Sequence, residues 1–129
     1  MPKAENLVVL VVDDHRSMRQ LTRFFLGEFG ICKITEAENG DDALSWMKLA
    51  RFDLIISDWD MQGMDGLAML KHLRSDPQTE KIPFIMATGQ NVEKEVREAI
   101  GAGANSYIVK PFSAKALKQK IEAVIGQLE

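Results

Sequence analysis

Three aspartates in this chain stand where an apolar run gives way to a loop: Asp13 and Asp14 behind residues 7–12, and Asp58 behind residues 54–57. Thr88 and Lys110 close two further apolar runs in the same way. Brought together, the carboxylates would repel strongly in a poorly solvated pocket unless a cation neutralised them. An all-oxygen set suits a hard ion that keeps several waters, and Mg2+, bound at about 2.1 Å, fits. Mn2+ is the alternative ion of that character. A carboxylate beside such an ion can act as a nucleophile toward phosphorus and form an acyl phosphate. The metal and Lys110 would then offset charge on the phosphoryl oxygens, with the Thr88 hydroxyl hydrogen-bonding the product.

Each residue also has a plainer role when taken alone. Asp13 and Asp14 can cap a helix, Asp58 can sit in a turn, Thr88-Gly89 can simply leave a strand, and Lys110 can be solvated. The plain roles must all hold at once, at four of the five strand ends, and that coincidence favours a site.

The elements that would position these residues follow a steady alternation. Residues 7–12 are a continuous, largely β-branched run, as in a strand buried on both faces. Residues 17–29 carry Met18, Leu21, Phe24, Phe25 and Phe29 at helical spacing and stop at Gly30. Strands are expected at 32–37, 54–57, 82–87 and 107–109, and helices at 41–50, 67–74, 92–102 and 114–128. In the helix at 92–102, Val96, Ala99 and Ile100 are expected to face inward. Five strands alternating with five helices across short loops imply an α/β fold, a parallel sheet covered on both faces. In such open sheets chemistry gathers at the carboxyl ends of the strands, which is where the aspartates, Thr88 and Lys110 lie.

Composition narrows the function classes. A chain of 129 residues is in the single-domain range, and 1–129 reads as one domain with no output domain. The net charge of -3 argues against general nucleic-acid binding. One cysteine, Cys32, permits neither an internal disulfide nor a cysteine-based metal site, in keeping with a reducing cytoplasm. No run is long enough to insert in a membrane, and the start lacks a signal-peptide pattern. His15 and His72 read as solvated surface residues, the seven methionines as core, and Lys115, Lys118 and Lys120 as a solvated helix face.

In order and spacing, Val11-Val12-Asp13-Asp14, Ile56-Ser57-Asp58-Trp59, Met64-Asp65-Gly66, Thr88, Ala102-Gly103-Ala104 and Tyr107-Ile108-Val109-Lys110-Pro111-Phe112 resemble the receiver (response-regulator) family of two-component signalling. The likeness runs from Leu7 to Leu128 and implies the flavodoxin-like, doubly wound sheet with strand order 2-1-3-4-5. It implies that Asp58 accepts a phosphoryl group from a sensor histidine kinase or a small phosphodonor. It implies further that Asp13, Asp14 and Asp58, with the backbone carbonyl of Asp60, hold magnesium, and that Lys110 and Thr88 contact the phosphoryl oxygens. Thr88 and Tyr107 match the family's switch pair, and Lys110-Pro111 its cis peptide.

Within the family, the absence of an output domain, Trp59 after the acceptor, Met18 and Arg19 on the first helix, and Tyr107 are similar to the single-domain chemotaxis regulators. That likeness implies a flagellar motor switch protein as output partner, reading Asn91, Val96, Tyr107, Val109 and Lys120. A phosphatase is a further partner class, and the chain is expected to be a monomer with no external substrate to turn over. Three positions depart from the pattern: Gln62 for a proline, Gly89 for alanine, serine or threonine, and Asp60 for asparagine. Asp60, Gly89 and Gln90 are expected to tune the phosphorylated lifetime.

A phosphorelay shuttle or a regulator of a non-motor partner keeps the same chemistry with another output. Asp58-Trp59-Asp60 also resembles the D-x-D of haloacid-dehalogenase-type phosphatases, but that family places the motif early and its acidic pair late, the reverse of this chain. A flavin or nucleotide module is disfavoured because the loop at 13–16 is acidic and glycine-free, whereas phosphate cradles use glycine and backbone amides.

Overall fold

In a computed structural model, residues 2–89 and 93–129 are described, and the elements alternate along the chain. The strands are β1 (Val8–Val12), β2 (Lys33–Ala37), β3 (Leu54–Asp58), β4 (Phe84–Thr88) and β5 (Ser106–Val109). The helices are α1 (Arg16–Glu28), α2 (Gly40–Leu49), α3 (Gly66–Arg74), α4 (Glu93–Gly101) and α5 (Ala114–Ile125). A short 3-10 turn, Ala4–Asn6, precedes β1 and had no signal in the apolar pattern. The strands form one parallel sheet in the order β2-β1-β3-β4-β5, the doubly wound arrangement expected from the sequence.

Successive side chains of a strand point to opposite faces, and the two halves of the core follow this rule. Leu10, Val12, Ile55, Phe84 and Met86 pack with Ala43 of α2, Met69, Leu70 and Leu73 of α3 and Ala99 of α4. Their neighbours Val9, Val11, Leu54, Ile56, Ile85 and Ala87 pack on the other side with Leu26 of α1 and Leu117 and Ile121 of α5. β1, β3 and β4 are therefore apolar on both faces because each face carries helices.

Several expected details are corrected. On α1 the buried residues are Arg19, Thr22 and Leu26, while Leu21 is exposed and Phe24 is 63% exposed. Ile100 of α4 faces solvent rather than the core; Ala99 is the buried residue there. β4 starts at Phe84 rather than residue 82, because Pro83 has no N–H to give the ladder and takes part only through its carbonyl, which accepts from Ile55 N–H. α5 ends at Ile125, where Gly126 adopts φ +100°, a conformation that favours glycine. Leu128 lies beyond the helix, its N–H bonded to Glu122 Oε2 at 2.8 Å.

Polar caps fix where the helices begin. Asn39, Asp65 and Ser113 each accept an N–H from the first turn of α2, α3 and α5. Arg74, at the end of α3, donates to the Gly103 carbonyl at 3.1 Å and to Asn105 Oδ1 at 3.2 Å, and Asn105 Oδ1 also accepts from Phe84 N–H. Burial lowers the pKa of this guanidinium from its ordinary value. These bonds tie the turn before β5 to the start of β4, which sets the lateral position of the last strand.

Candidate functional site

The carboxyl ends of β1, β3, β4 and β5 lie side by side, and their last residues are held by backbone bonds across the sheet. Asp13 N–H donates to the Ala37 carbonyl at 3.1 Å, Trp59 N–H to Ala87 at 3.0 Å, and Lys110 N–H to Thr88 at 2.7 Å. The loops therefore leave from a shared edge. There one ligand atom each from Asp13, Asp14, His15 and Asp58 lies within 4.8 Å of the others. Asp13 is buried, Asp58 is 4% exposed, and Asp14 faces solvent.

Lys110 completes the site. Its Nζ is 2.8 Å from Asp58 Oδ1 and 3.6 Å from Asp13 Oδ2. Burial pushes the Asp58 pKa up, and the Asp13 charge adds to that; the hydrogen bond and charge of Lys110 and the Trp59 N–H pull it down, leaving it raised overall. For Lys110, burial disfavours the ammonium, but the hydrogen bond and charge of Asp58, backed by Asp13, outweigh it and raise the pKa. The pair is a charged contact whose carboxylate still lacks enough countercharge.

The loop that carries Asp58 is built by close approach. At Gly66 a Cβ would lie 2.3 Å from the Asp58 carbonyl oxygen and 3.1 Å from Trp59 Cα, so only glycine lets α3 start against the end of β3. Gly66 N–H donates to the Trp59 carbonyl at 2.9 Å, and Asp65 caps the helix. The run Met64-Asp65-Gly66 is thus the device that turns the chain sharply behind Asp58. Asp60, Gln62 and Gly89 are exposed on the rim, and a Cβ at Gly89 would meet nothing within 4 Å.

The Asp13-Asp14 pair does not cap α1. His15 holds the N-cap position without a side-chain bond to the helix, and Asp13 Oδ1 accepts the His15 N–H at 2.8 Å. Arg19, buried on α1, donates to the Asp13 carbonyl oxygen at 2.6 Å and pairs with Glu36 Oε1 of β2 at 3.1 Å. Arg19 thereby fixes the loop that aims the acidic pair. The apolar spacing of α1 gave no signal for this role; Arg19 entered only through the family resemblance. His15 was assigned to open solvent; its side chain is 67% exposed, but its Nδ1 lies 2.9 Å from Asp14 Oδ1 and 3.3 Å from Asp13 Oδ1.

Thr88 is buried at the end of β4, in register with Val109, and the Lys110–Pro111 peptide is cis. Tyr107, Val109 and Lys120 line an open depression of about 550 Å3 on the β5–α5 side, with the Lys120 ammonium 4.8 Å from the centre of the Tyr107 ring. Val96 is half-buried on α4. Gln90 and Asn91 lie outside the described residues.

The donor set fits a hard divalent ion: Asp13, Asp14 and Asp58 supply clustered carboxylate oxygens with an excess of negative charge. Among the described residues no helix is long and apolar enough to cross a membrane.

Comparison with known proteins agrees with this architecture. Residues 9–122 match the response regulator receiver domain. The chain is 37% identical over 124 residues to the chemotaxis protein CheY-3 of Vibrio cholerae, covering 96% of this chain and 95% of that one. It is also 37% identical over 120 residues to the chemotaxis protein CheY of Pseudomonas aeruginosa, covering 93% and 97%. Among solved structures, V. cholerae CheY4 superposes with a TM-score of 0.86 at 34% identity, covering 92% of this chain and 98% of that one. A Francisella response-regulator receiver domain gives 0.83 at 31%, covering 92% and 95%. The chain therefore belongs to the response regulator receiver family, as a CheY-like receiver domain.

Proposed function

We propose that this chain works as a single-domain response regulator: Asp58 takes a phosphoryl group from a histidine kinase in a magnesium-dependent reaction, and the result is read by the flagellar motor switch. The observation that carries the chemistry is the Asp58 carboxylate, nearly fully buried, bonded to Lys110 and clustered with Asp13 and Asp14. Asp13, Asp14 and Asp58 would hold the ion, with the backbone carbonyl of Asp60 as a further oxygen. Bound there, magnesium supplies charge neutralisation on the phosphoryl oxygens.

The chain's own residues do the rest. An Asp58 carboxylate oxygen bonds to phosphorus as the P–N bond of the kinase phosphohistidine breaks; the imidazole leaves with the electron pair and takes up a proton. Lys110 holds charge on the phosphoryl oxygens, and Thr88 donates its hydroxyl to one of them. The acyl phosphate adds about -1.5 to -2 charges at one point. Drawing Thr88 toward that point opens space for Tyr107, whose inward turn gives up the contact with Lys120, worth about 0.5–1 kcal/mol at an exposed site. Inverting a resting population of 1:99 needs about 5.5 kcal/mol of preference for the active form, within reach of a few charge-assisted hydrogen bonds.

The motor reading is supported by the relatives named as chemotaxis proteins and by the depression beside Tyr107, Val109 and Lys120. Two measurements test the proposal. With magnesium and a small acyl-phosphate donor, intact mass should rise by a phosphoryl group in the parent and stay unchanged in Asp58→Asn; the same acyl phosphate in the variant overturns the assignment. A motor-switch peptide should bind more tightly when donor is present. Equal binding with and without donor would move the output to a phosphorelay or another partner.

A further inference from the structure

The acidic pocket has a nitrogen donor at its mouth. We infer that His15 is a ligand of the divalent ion, so that this pocket is a mixed nitrogen–oxygen site that takes a borderline ion of the zinc class as well as magnesium. This rests on the reading that Asp13, Asp14 and Asp58 hold a divalent ion, and it names the residue that sets which ion they hold.

The spacing of His15 from the two neighbouring carboxylates is that of adjacent ligands on one ion. Donor atoms bound at about 2.0–2.1 Å to one ion stand about 3.0 Å apart at the edge of an octahedron and about 3.3 Å apart in a tetrahedron. His15 Nδ1 is 2.9 Å from Asp14 Oδ1 and 3.3 Å from Asp13 Oδ1. Asp58 joins the same group, whose donor atoms all lie within 4.8 Å of one another, a spread that has to close by only a few tenths of an ångström to reach the roughly 4.2 Å that two donors on one ion can span. The backbone reinforces the aim, since Asp13 Oδ1 accepts the His15 N–H at 2.8 Å and Arg19 holds the Asp13 carbonyl at 2.6 Å. The ring itself is 67% exposed, so it can reorient onto an ion without disturbing the core.

Chemistry then separates the ions. Imidazole nitrogen suits zinc and other borderline metals, while magnesium prefers oxygen and keeps its waters. The carboxylates serve either ion; the contribution of His15 is an added preference for zinc that disappears with its ring. Three carboxylates and one imidazole also fill a tetrahedral zinc ion. A zinc ion so held leaves no position for a phosphoryl oxygen and keeps Asp58 within its own shell, so zinc competes with the phosphorylated state.

The test uses the full chain with Cys32→Ser as background, because the exposed thiol is a separate zinc ligand. Zn2+ and Mg2+ are titrated by calorimetry, without phosphodonor, into this parent, His15→Gln and Asp13→Asn. In parallel, imidazole nitrogen resonances are followed; the chain has only two histidines, and His72 serves as the internal control. The expected result is a Zn2+ affinity at least about tenfold weaker in His15→Gln, with Mg2+ affinity within about twofold, and a zinc-induced shift of the His15 Nδ1 resonance that His72 does not share. Unchanged Zn2+ affinity in His15→Gln, or a His15 Nδ1 that moves no more than His72, overturns the inference while Asp13→Asn still weakens both ions. If the parent binds neither ion, or Asp13→Asn leaves both affinities intact, the divalent-ion reading of the pocket falls, and this inference with it.

Discussion

Removing the Lys110 ammonium should destabilise the metal-free protein far more when Asp58 is present than when it is not. The Nζ–Oδ1 separation of 2.8 Å corresponds to about 6 kcal/mol of attraction at an effective dielectric of about 20. Desolvation of both groups offsets much of this, and the raised Asp58 pKa shows that burial outweighs the help Lys110 gives. Taking one partner from a buried pair generally costs about 3–5 kcal/mol, because the other charge is stranded. Lys110 is 17% exposed, so water screens part of the site and about 3 kcal/mol is the expected cost of Lys110→Met at neutral pH. In an Asp58→Asn background the same substitution should cost under about 1 kcal/mol, the remainder reflecting Asp13 at 3.6 Å.

Urea denaturation in chelator, on the parent, both single variants and the double variant, measures the coupling. Its pH dependence supplies a second check. Asp58 has a raised folded-state pKa, so the folded protein binds that proton more tightly than the unfolded chain, and this group's contribution to stability falls as pH climbs from its ordinary value of 3.8 through the raised one. Without Lys110 two influences that lower the Asp58 pKa vanish, so the deficit of Lys110→Met should shrink as the pH is lowered and Asp58 takes up a proton. For Lys110 itself, raised above 10.5, the stabilising contribution is fully present below that value and lost as pH rises through the folded-state pKa. A coupling below about 0.5 kcal/mol, the usual error of additivity, or a deficit that grows on acidification, would refute the account of Lys110 as the countercharge of Asp58.

Two further outcomes follow from the same loop. Gly66→Ala places a methyl 2.3 Å from the Asp58 carbonyl oxygen and should cost about 3 kcal/mol in urea denaturation, the upper part of the range for overpacking; a loss below about 1 kcal/mol would mean that α3 and β3 part more easily than their packing implies. Asp60→Asn removes an exposed carboxylate from the rim of the site and should change the phosphorylated lifetime by several-fold, read as decay of the acyl phosphate after the donor is removed; equal lifetimes would leave Asp60 without a role in hydrolysis.

The strand ends were legible because a parallel sheet buried on both faces leaves unbroken apolar runs, and the first polar residue after each run marks the edge where loops begin. Asp13, Asp58, Thr88 and Lys110 could be placed on one edge from that fact alone. The helices were less legible. On α1, Leu21 and Phe24 have helical spacing with each other, yet the buried line runs through Arg19, Thr22 and Leu26. A hydrophobicity pattern misreads a face that buries an arginine, because Arg19 is inward only by virtue of its partners, Glu36 on β2 and the Asp13 carbonyl. Those partners are separated from it in the chain and are brought close by the sheet. His15 escaped for a related reason: its position is an exposed loop, and only the direction of the ring distinguishes a solvated histidine from one turned onto two carboxylates.

The same residues that make the site reactive make it costly, and the architecture shows how the cost is distributed. Asp58 ends a strand whose other residues are all buried, so its carboxylate is held at the sheet edge with little exposure to water. It meets one full positive charge, Lys110, and two further aspartates, which leaves the cluster short of countercharge. A divalent cation would relieve that shortage, and the proposed phosphoryl group would renew it. Lys110 stays within reach in either case because its own backbone N–H is bonded to Thr88, the residue whose hydroxyl the phosphoryl group is proposed to attract. In the proposed switch, movement at Thr88 would reach the strand that carries Tyr107 through the β4–β5 ladder and the Lys110 N–H bond, a short path from Asp58 to the face on β5 and α5. A receiver of this design needs no distant relay: the countercharge that steadies the resting carboxylate lies one residue beyond the strand that would report its modification.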